Sequence, residues 1–155
     1  KPNISGAARH TYKLNSDNIK EHEELFQNLI QKEDFLLQEY LESITEKGEI
    51  SLMVIGGEFT HAIHKKAKKG DFRVQDDFGG SLHEYHANEN EKAFVEKVLN
   101  ACKPMPTYAR VDVLWDNQGD LALAELEVIE PELWFRRSNS SAGLLAKAIK
   151  DEYFK

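Results

Sequence analysis

The sequence predicts an α+β fold in which an antiparallel sheet carries helices packed mainly on one face. Two extended apolar runs flank Gly56 and Gly57, and two more flank the polar segment 116–119, so each pair is expected to form a hairpin. Segments with apolar residues at helical spacing lie between and after these hairpins. Because a hairpin joins antiparallel neighbours, this mixture indicates the α+β class.

The beginning of the chain is expected to hold one helix. Residues 1–11 are polar and rich in small side chains, which is typical of a loop, and 12–14 are compatible with a short strand. Asn18 followed by Glu21 resembles a capping box, so an amphipathic helix is predicted over about 18–32. A short apolar strand is predicted at 35–38.

The remainder of the chain alternates predicted strands and helices. Lysines 65, 66, 68 and 69 are expected to form a basic turn, and 72–74 is briefly strand-like. Residues 75–90 are expected to form a long loop, which in a compact domain is often functional. The other predicted elements are a hairpin at 50–55 and 58–63, a helix at 89–101, strands at 108–115 and 121–129, and a helix at 140–153 with Leu144, Leu145, Ala148 and Ile149 buried.

Composition limits the classes of function. The 155 residues carry a formal net charge of −7, which argues against general binding to nucleic acid or to an anionic membrane. A single cysteine, Cys102, excludes an intramolecular disulfide and fits a reducing, cytoplasmic compartment. No apolar run approaches the roughly 20 residues of a membrane span. The chain opens at Lys1 without a methionine, so we expect it to be a fragment.

The acidic residues of the last predicted hairpin are the strongest chemical signal. Asp112 lies in ARVDVLW, and Glu125, Glu127 and Glu130 lie in AELEVIEP. Alternate residues of a strand share a face, so Glu125 and Glu127 are expected on one face, with Asp112 on the partner strand. Three acids on one face repel one another unless cations neutralise them, and their hard oxygens suit Mg²⁺ or Mn²⁺. The alternative is a solvated acidic face.

Two further segments have the chemistry of phosphate binding. The small residues at 5–8 let backbone N–H groups approach a phosphate, and Lys1 and Arg9 add positive charge; the alternative is a mobile terminus. Arg73, close to a glycine pair, suits phosphate oxygens. Its alternative role is a surface ion pair with Asp71, Asp76 or Asp77.

The histidines and the cysteine are better explained as structural residues than as zinc ligands or a catalytic nucleophile. His61 and His64 are expected on a strand, where an offset of three turns them to opposite faces. Neither this pair nor His83 with His86 has a cysteine partner or a helical zinc-binding pattern. Cys102 is expected to be a buried, inert thiol.

The order of segments resembles the ATP-grasp superfamily, and within it the bacterial glutathione synthetase type. The resemblance covers nearly the whole chain and rests on the order of five segments: KPNISGAARHT, LLQEYLESITEKGEISLMVIGGEFTHAI, GDFRVQDDFGG, YARVDVLW and LAELEVIEP. It implies an ATP-grasp fold fragment that lacks an N-terminal domain. Residues of about 1–47 would belong to the lid subdomain, and those of about 48–155 to the metal- and phosphate-binding core.

The resemblance also implies which residues bind the nucleotide and the metal. Lys1 and Arg73 match cationic residues that contact ATP phosphates or the acyl phosphate. Asp112, Glu125 and Glu127 match the ligands of two Mg²⁺ ions, and Mn²⁺ is a possible substitute. The residues that match the flexible loop over the nucleotide and the hinge strand at the adenine are Ser5, Gly6 and Ala7, within a loop that extends to Thr11, and Gln38, Glu39, Tyr40 and Leu41.

Several positions depart from the glutathione synthetase pattern. Glu127 stands where the third metal ligand is usually Asn, which adds a negative charge to the site. Ser51 stands where an Arg is usual, after the acidic residue that matches Glu49. The loop after Gly80 lacks the family's basic residues, and the segment IEPELWFRR on the substrate side differs as well.

The activity that the resemblance implies is ATP-dependent joining of a small-molecule carboxylate to an amine through an acyl phosphate. Such a fragment is not expected to act alone, and the full-length protein could form a homo-oligomer. Two alternatives stay open. One is a nucleotide-binding domain without catalysis on the same fold, and the other is a metal-dependent phosphohydrolase that uses the same carboxylates.

Overall fold

The computed structural model describes residues 1–6, 8–68, 70, 71, 73, 74 and 79–154. The chain divides into two compact units, Lys1–Tyr40 and Leu41–Lys155. The boundary predicted near residue 47, between a lid part and a core, stays a prediction. None of the helices formed by the described residues combines the length and the apolar character needed to cross a membrane.

The first unit contains one helix, α1 (Ile19–Ile30). The strand predicted at 12–14 is wrong, and that predicted at 35–38 reduces to one bridge between Phe35 and Pro2. The capping box predicted at Asn18 is also wrong. The Asn18 side chain makes no cap hydrogen bond; its oxygen instead accepts a 2.9 Å bond from the backbone N–H of Asn15, outside the helix.

The second unit is built on a five-stranded antiparallel sheet. Its strands lie in the order β3-β2-β1-β4-β5, which confirms the α+β class and both predicted hairpins. The elements of this unit are α2 (Ser43–Glu46), β1 (Glu49–Ile55), β2 (Glu58–Lys66), β3 (Ser81–Tyr85), α3 (Glu89–Asn100), β4 (Tyr108–Trp115), β5 (Leu121–Glu127), a 3₁₀ turn (Phe135–Arg137) and α4 (Ser141–Tyr153).

Three boundaries differ from the sequence expectations. The predicted loop at 75–90 contains strand β3, and β5 ends two residues early, at Glu127. The predicted basic turn is wrong for Lys65 and Lys66, because β2 continues through both. Phe72 lies outside the described residues, and its neighbours Arg73 and Val74 form no strand.

One face of the sheet carries the larger core. Alternate residues of β1 and β4 point to this face, where Val95 and Leu99 of α3 pack against them. The helix begins at a capping box that sequence reading did not identify. The Asn88 side chain accepts from the backbone N–H of Glu91 at 3.0 Å, and the Glu91 carboxylate accepts from that of Asn88 at 2.9 Å.

The opposite face is mixed in chemistry. A small apolar cluster there joins Met53, Ile63, Leu133 and Trp134, and Leu145 of α4 packs against it. α3 therefore covers one face as predicted, whereas α4 contacts the other. Two residues predicted to be buried on α4 are exposed in this chain, Leu144 at 43% and Ile149 at 36%. The rest of this face is charged and holds the candidate site.

Candidate metal and phosphate site

Strand register brings the predicted acidic residues together. Asp112 of β4 lies opposite Glu125 of β5, and Arg110 lies opposite Glu127. Residues opposite each other in a sheet share a face, so these four side chains project from the face that α3 does not cover. One oxygen from each of the three carboxylates lies within 4.8 Å of the others. The structure thus brings together all three of the predicted metal ligands.

A bulge in β5 makes this arrangement compatible with the apolar residues of the same strand. Leu121, Glu125 and Glu127 are separated by even numbers of residues, and a regular strand would turn all three to one face. The register shifts between Asp112 and Val113, so that Asp112 pairs with Glu125 whereas Val113 pairs with Leu123. The extra residue, Ala124, lets Leu121 pack against the core while the two glutamates face the site.

Asp112 is almost completely enclosed, with 1% of its surface exposed. Its Oδ1 accepts a 2.5 Å hydrogen bond from the Ser51 hydroxyl and a 3.0 Å bond from Nε of Arg110. Its Oδ2 accepts from Nη2 of Arg110 at 2.8 Å and from Nζ of Lys65 at 3.3 Å. Two cations and one hydroxyl therefore hold this carboxylate in a fixed position.

Each of the two cations also binds a second carboxylate. Lys65 pairs with Glu49 directly across the β1–β2 ladder, and Arg110 pairs with Glu127 across β4–β5. With Glu125, four carboxylates face two cations, so the face keeps an excess of negative charge. Such an excess favours the binding of a further cation.

The acidities in the site follow from burial and from these neighbours. Burial raises the pKa of Glu49, and Asp112 adds to the rise, although Lys65 opposes it. Burial also raises the pKa of Glu127, with Glu125 and Asp112 adding to it against Arg110. Burial disfavours the charge of Arg110, but the hydrogen bonds that Arg110 donates to Asp112 and the charges of the neighbouring carboxylates hold the pKa of Arg110 above the ordinary value.

The donor set fits a hard divalent cation. Carboxylate oxygens are the ligands that Mg²⁺ and Mn²⁺ prefer, and these ions commonly complete their coordination with water and phosphate. Glu125 is exposed and Glu127 half-exposed, so solvent and a phosphate can reach the side of the cluster opposite buried Asp112. On chemistry and spacing, Asp112, Glu125 and Glu127 are suited to hold the metal.

Trp134 borders the two cations. Its backbone is left-handed, with φ 44° and ψ 46°, an uncommon conformation for a bulky residue. The ring centroid lies 5.5 Å from Cζ of Arg110 and 5.9 Å from Nζ of Lys65, within the range of cation–π attraction. His61 contacts the segment that carries Trp134, because its Nε2 lies 2.9 Å from the carbonyl oxygen of Leu133.

Arg73 is engaged by a neighbouring carboxylate. Its Nε and Nη2 donate to the two oxygens of Asp71 at 3.0 and 2.7 Å, and its backbone N–H donates to Oδ1 at 3.0 Å. Hydrogen bonding to Asp71 raises the pKa of Arg73. This is the ion pair that the sequence offered as the alternative to phosphate binding; the other two candidate partners, Asp76 and Asp77, lie outside the described residues.

The predicted nucleotide residues of the first unit lie in irregular backbone. Lys1 is exposed, and its amino terminus donates to the Leu36 carbonyl at 3.1 Å. The Ser5 hydroxyl donates to the Arg9 carbonyl at 3.1 Å, and the carbonyl of Gly6 accepts from the Arg9 N–H, also at 3.1 Å. Ala7 lies outside the described residues.

The predicted hinge strand is not formed. Gln38, Glu39, Tyr40 and Leu41 have no regular secondary structure. Gln38 and Glu39 are exposed, and the ring of Tyr40 lies under the ammonium of Lys13, 3.5 Å from the centroid. Leu41 belongs to the second unit. Whether these residues bind adenine stays a prediction.

Sequence reading missed five residues of the site. Arg110 could have been found, because period-two alternation from Asp112 places it on the same face. Lys65 was hidden in a run of lysines, where surface charge was the simpler interpretation. Glu49 and Ser51 were noted only as positions of the family pattern, with no role in the site, and Trp134 carries no local signal for this chemistry. Only the register of β1 and the fold of the 133–137 segment bring these three residues to the site.

Comparison with known proteins shows the family to which the chain is similar over most of its length. A family model described as a RimK-like ATP-grasp domain matches residues 14–132. The solved structure of the D-cycloserine synthetase DcsG is similar, with a TM-score of 0.64 and 28% identity over 74% of this chain and 41% of that one. No curated protein sequence matches this chain.

Two other solved structures show the same fold at lower identity. The ATP-grasp ligase PsnB, in a complex with a minimal precursor, Mg and ADP, has a TM-score of 0.62 and 15% identity over 96% of this chain and 45% of that one. D-alanine–D-alanine ligase from Bacillus anthracis has a TM-score of 0.55 and 19% identity over 97% of this chain and 52% of that one. The present chain thus spans 41% to 52% of the length of these three proteins.

Proposed function

Because the chain belongs to the RimK-like ATP-grasp family, we propose that it is the nucleotide- and metal-binding part of an ATP- and Mg²⁺-dependent carboxylate–amine ligase. The observation that carries the proposal is the convergence of Asp112, Glu125 and Glu127 on one sheet face, next to Arg110 and Lys65. A site for phosphoryl transfer needs this combination of hard ligands and cations, because charge neutralisation and positioning account for most of the catalysis.

The proposed reaction has two steps. An oxygen of the substrate carboxylate attacks the γ-phosphorus of ATP, and ADP leaves, which yields an acyl phosphate. The amine then attacks the acyl carbon and gives up a proton, and phosphate leaves from the tetrahedral intermediate to give the amide. Neither step requires a nucleophilic side chain from the protein, and positioning the reactants supplies much of the rate.

Each group of residues has a proposed part in this reaction. Two Mg²⁺ ions bound by the three carboxylates would neutralise charge on the β- and γ-phosphates, and Mn²⁺ would substitute for them. Lys1 and Arg73 bind and stabilise the transferred phosphoryl group. The small-residue loop of Ser5, Gly6 and Ala7 would contact the phosphates. The adenine would be bound by Gln38, Glu39, Tyr40 and Leu41.

We also propose the finer assignment to a glutathione synthetase-like enzyme that acts on small-molecule substrates in the cytoplasm. The order of the sequence segments supports it, whereas Ser51 and Glu127 depart from that subtype. DcsG and D-alanine–D-alanine ligase are themselves named for small-molecule products, which is compatible with this substrate class.

Trapping of the acyl phosphate tests the proposal. Hydroxylamine converts an acyl phosphate to a hydroxamate, so the full-length enzyme should form hydroxamate and ADP only when ATP, Mg²⁺ and a carboxylate substrate are all present. Glu125→Gln should abolish this product. The matched control is Glu96→Gln on α3, where the side chain is exposed, and it should leave the yield unchanged.

The alternatives give different products in the same assay. A metal-dependent phosphohydrolase would release phosphate without any carboxylate and would form no hydroxamate. A nucleotide-binding domain without catalysis would bind ATP and produce no ADP at full length. Either result would contradict the ligase proposal.

A further inference from the structure

The acceptor capacity of Asp112 is fully used by the protein itself. An ionised carboxylate offers about four lone-pair positions on its two oxygens. Four donor groups fill them: the Ser51 hydroxyl, Nε and Nη2 of Arg110, and Nζ of Lys65. With 1% of the residue exposed, bulk solvent has little access to these positions. A metal ion can therefore gain a lone pair of Asp112 only if one of the four donors leaves.

Lys65 is the donor that leaves most readily. Its 3.3 Å contact is the longest of the four, whereas Ser51 donates at 2.5 Å and Arg110 binds both oxygens at 2.8 to 3.1 Å. Ser51 is also fixed by its place opposite Asp112 in the β1–β4 ladder. The ammonium of Lys65 ends a flexible stem and keeps a second carboxylate, Glu49, when it gives up Asp112.

We propose that Lys65 is a positioning residue that holds Asp112 in the metal-free protein and is displaced from it by the divalent cation. The inference rests on the proposed function, which supplies the metal. Lys65 and the metal compete for one carboxylate, so each lowers the apparent affinity of the site for the other. Before metal binds, the ammonium offsets the repulsion between Asp112 and the neighbouring Glu125 and Glu127. When the metal binds, the Lys65 ammonium gives up Asp112 and keeps only its ion pair with Glu49.

The competition predicts a gain of affinity when Lys65 is removed. The full chain is titrated with Mn²⁺ alone, and free Mn²⁺ is followed by its electron paramagnetic resonance signal. Lys65→Gln should bind Mn²⁺ about fivefold more tightly than the unaltered protein. If Lys65 had only a structural role, Lys65→Gln would instead bind Mn²⁺ more weakly, because loss of its support would disorder the ligands. Asp112→Asn should abolish the site.

Two variants separate displacement from a general effect of charge. Lys66→Gln removes the same charge from the next residue of β2, where the side chain is exposed, and should leave the affinity unchanged. The double variant Glu49→Gln with Lys65→Gln keeps the net charge of the protein and removes the buried lysine together with its second partner. It should still bind Mn²⁺ more tightly, and it serves as well if Lys65→Gln alone does not fold.

The outcomes separate the displacement of Lys65 from the existence of the metal site. If Asp112→Asn abolishes Mn²⁺ binding but the charge-neutral double variant binds no more tightly than the unaltered protein, displacement of Lys65 is wrong and the metal site stands. If Asp112→Asn leaves Mn²⁺ binding unchanged, the proposed metal site is wrong, and the role of Lys65 is wrong with it. Tighter binding by both Lys65 variants, with Lys66→Gln unchanged, supports the proposal.

Discussion

Arg110 binds Asp112 on its own strand and Glu127 on the neighbouring strand with a single guanidinium group. The register of β4 and β5 places Arg110 directly opposite Glu127, so the contact follows from the sheet. The contact also explains how the site accommodates Glu127, which adds a negative charge at a position where glutathione synthetases usually have Asn. That added charge is paired with Arg110.

This pairing predicts that Glu127 tolerates replacement by Asn. The Asn side chain keeps one carbonyl oxygen for a metal, and Arg110 keeps its hydrogen bonds to Asp112. Turnover of the full-length enzyme should therefore fall by no more than about tenfold, measured as ADP formed under saturating ATP and Mg²⁺. A loss as large as that of an Asp112 variant would contradict the role assigned to Arg110.

Asp112→Asn should be far more damaging to turnover. The substitution removes the buried charge that Arg110 binds and for which Lys65 and the proposed metal compete, so turnover should fall about hundredfold or more. The protein should stay folded, because Lys65 keeps Glu49 and Arg110 keeps Glu127 as partners. Circular dichroism checks the fold, and Asp120→Asn, in the exposed turn before β5, is the matched control.

His61 predicts a loss of stability in mild acid. Burial lowers its pKa below the ordinary value of 6.5, so the folded protein prefers the neutral ring. Since the pKa is lower when folded, the stabilising contribution is complete above about pH 6.5 and is lost as the pH falls through the folded pKa. Urea unfolding at about pH 7.5 and 5.5 should show a larger loss for the unaltered protein than for His61→Gln. Equal losses would contradict the prediction.

The capping box of α3 predicts a stability effect of its own. Asn88→Ala removes the side-chain acceptor for the Glu91 N–H and should lower the free energy of unfolding by about 1 kcal/mol. Asn90→Ala makes the same chemical change two residues later, at an exposed position in the first turn of the helix, and should cost nothing. Chemical denaturation of both variants measures the difference, and equal values would argue against the cap.

Local patterns were sufficient to predict four of the five strands, all except β3, and the acidic cluster on β4 and β5. Glycine turns defined the two hairpins, and alternation in β4 and β5 identified the three carboxylates that the structure brings together. Those patterns depend on neighbours within a few residues. The bulge at Ala124 was not visible in the sequence, although the conflict between Leu121 and Glu125 on one strand was a signal that some irregularity is required.

Other features depend on contacts between distant segments. Lys65 is buried because β2 continues past the expected turn and pairs Lys65 with Glu49, sixteen positions earlier in the chain. Asn18 and Glu21 have the spacing of a capping box, but the Asn18 side chain accepts a hydrogen bond from the preceding loop instead. The capping box that the structure contains is formed by Asn88 and Glu91. Trp134 reaches the cations through a left-handed backbone that no local propensity favours. Such choices are made by packing, not by sequence pattern.

Mg²⁺ bound at the sheet face should change the amide chemical shifts of the residues that surround it. The chain is titrated with ADP and then with Mg²⁺ while ¹H–¹⁵N correlation spectra are recorded. We expect Mg²⁺-dependent shifts at 110–112 and 125–127 that EDTA reverses and that Asp112→Asn abolishes. Spectra in which these six amides stay unchanged at saturating ADP and Mg²⁺ would contradict the account.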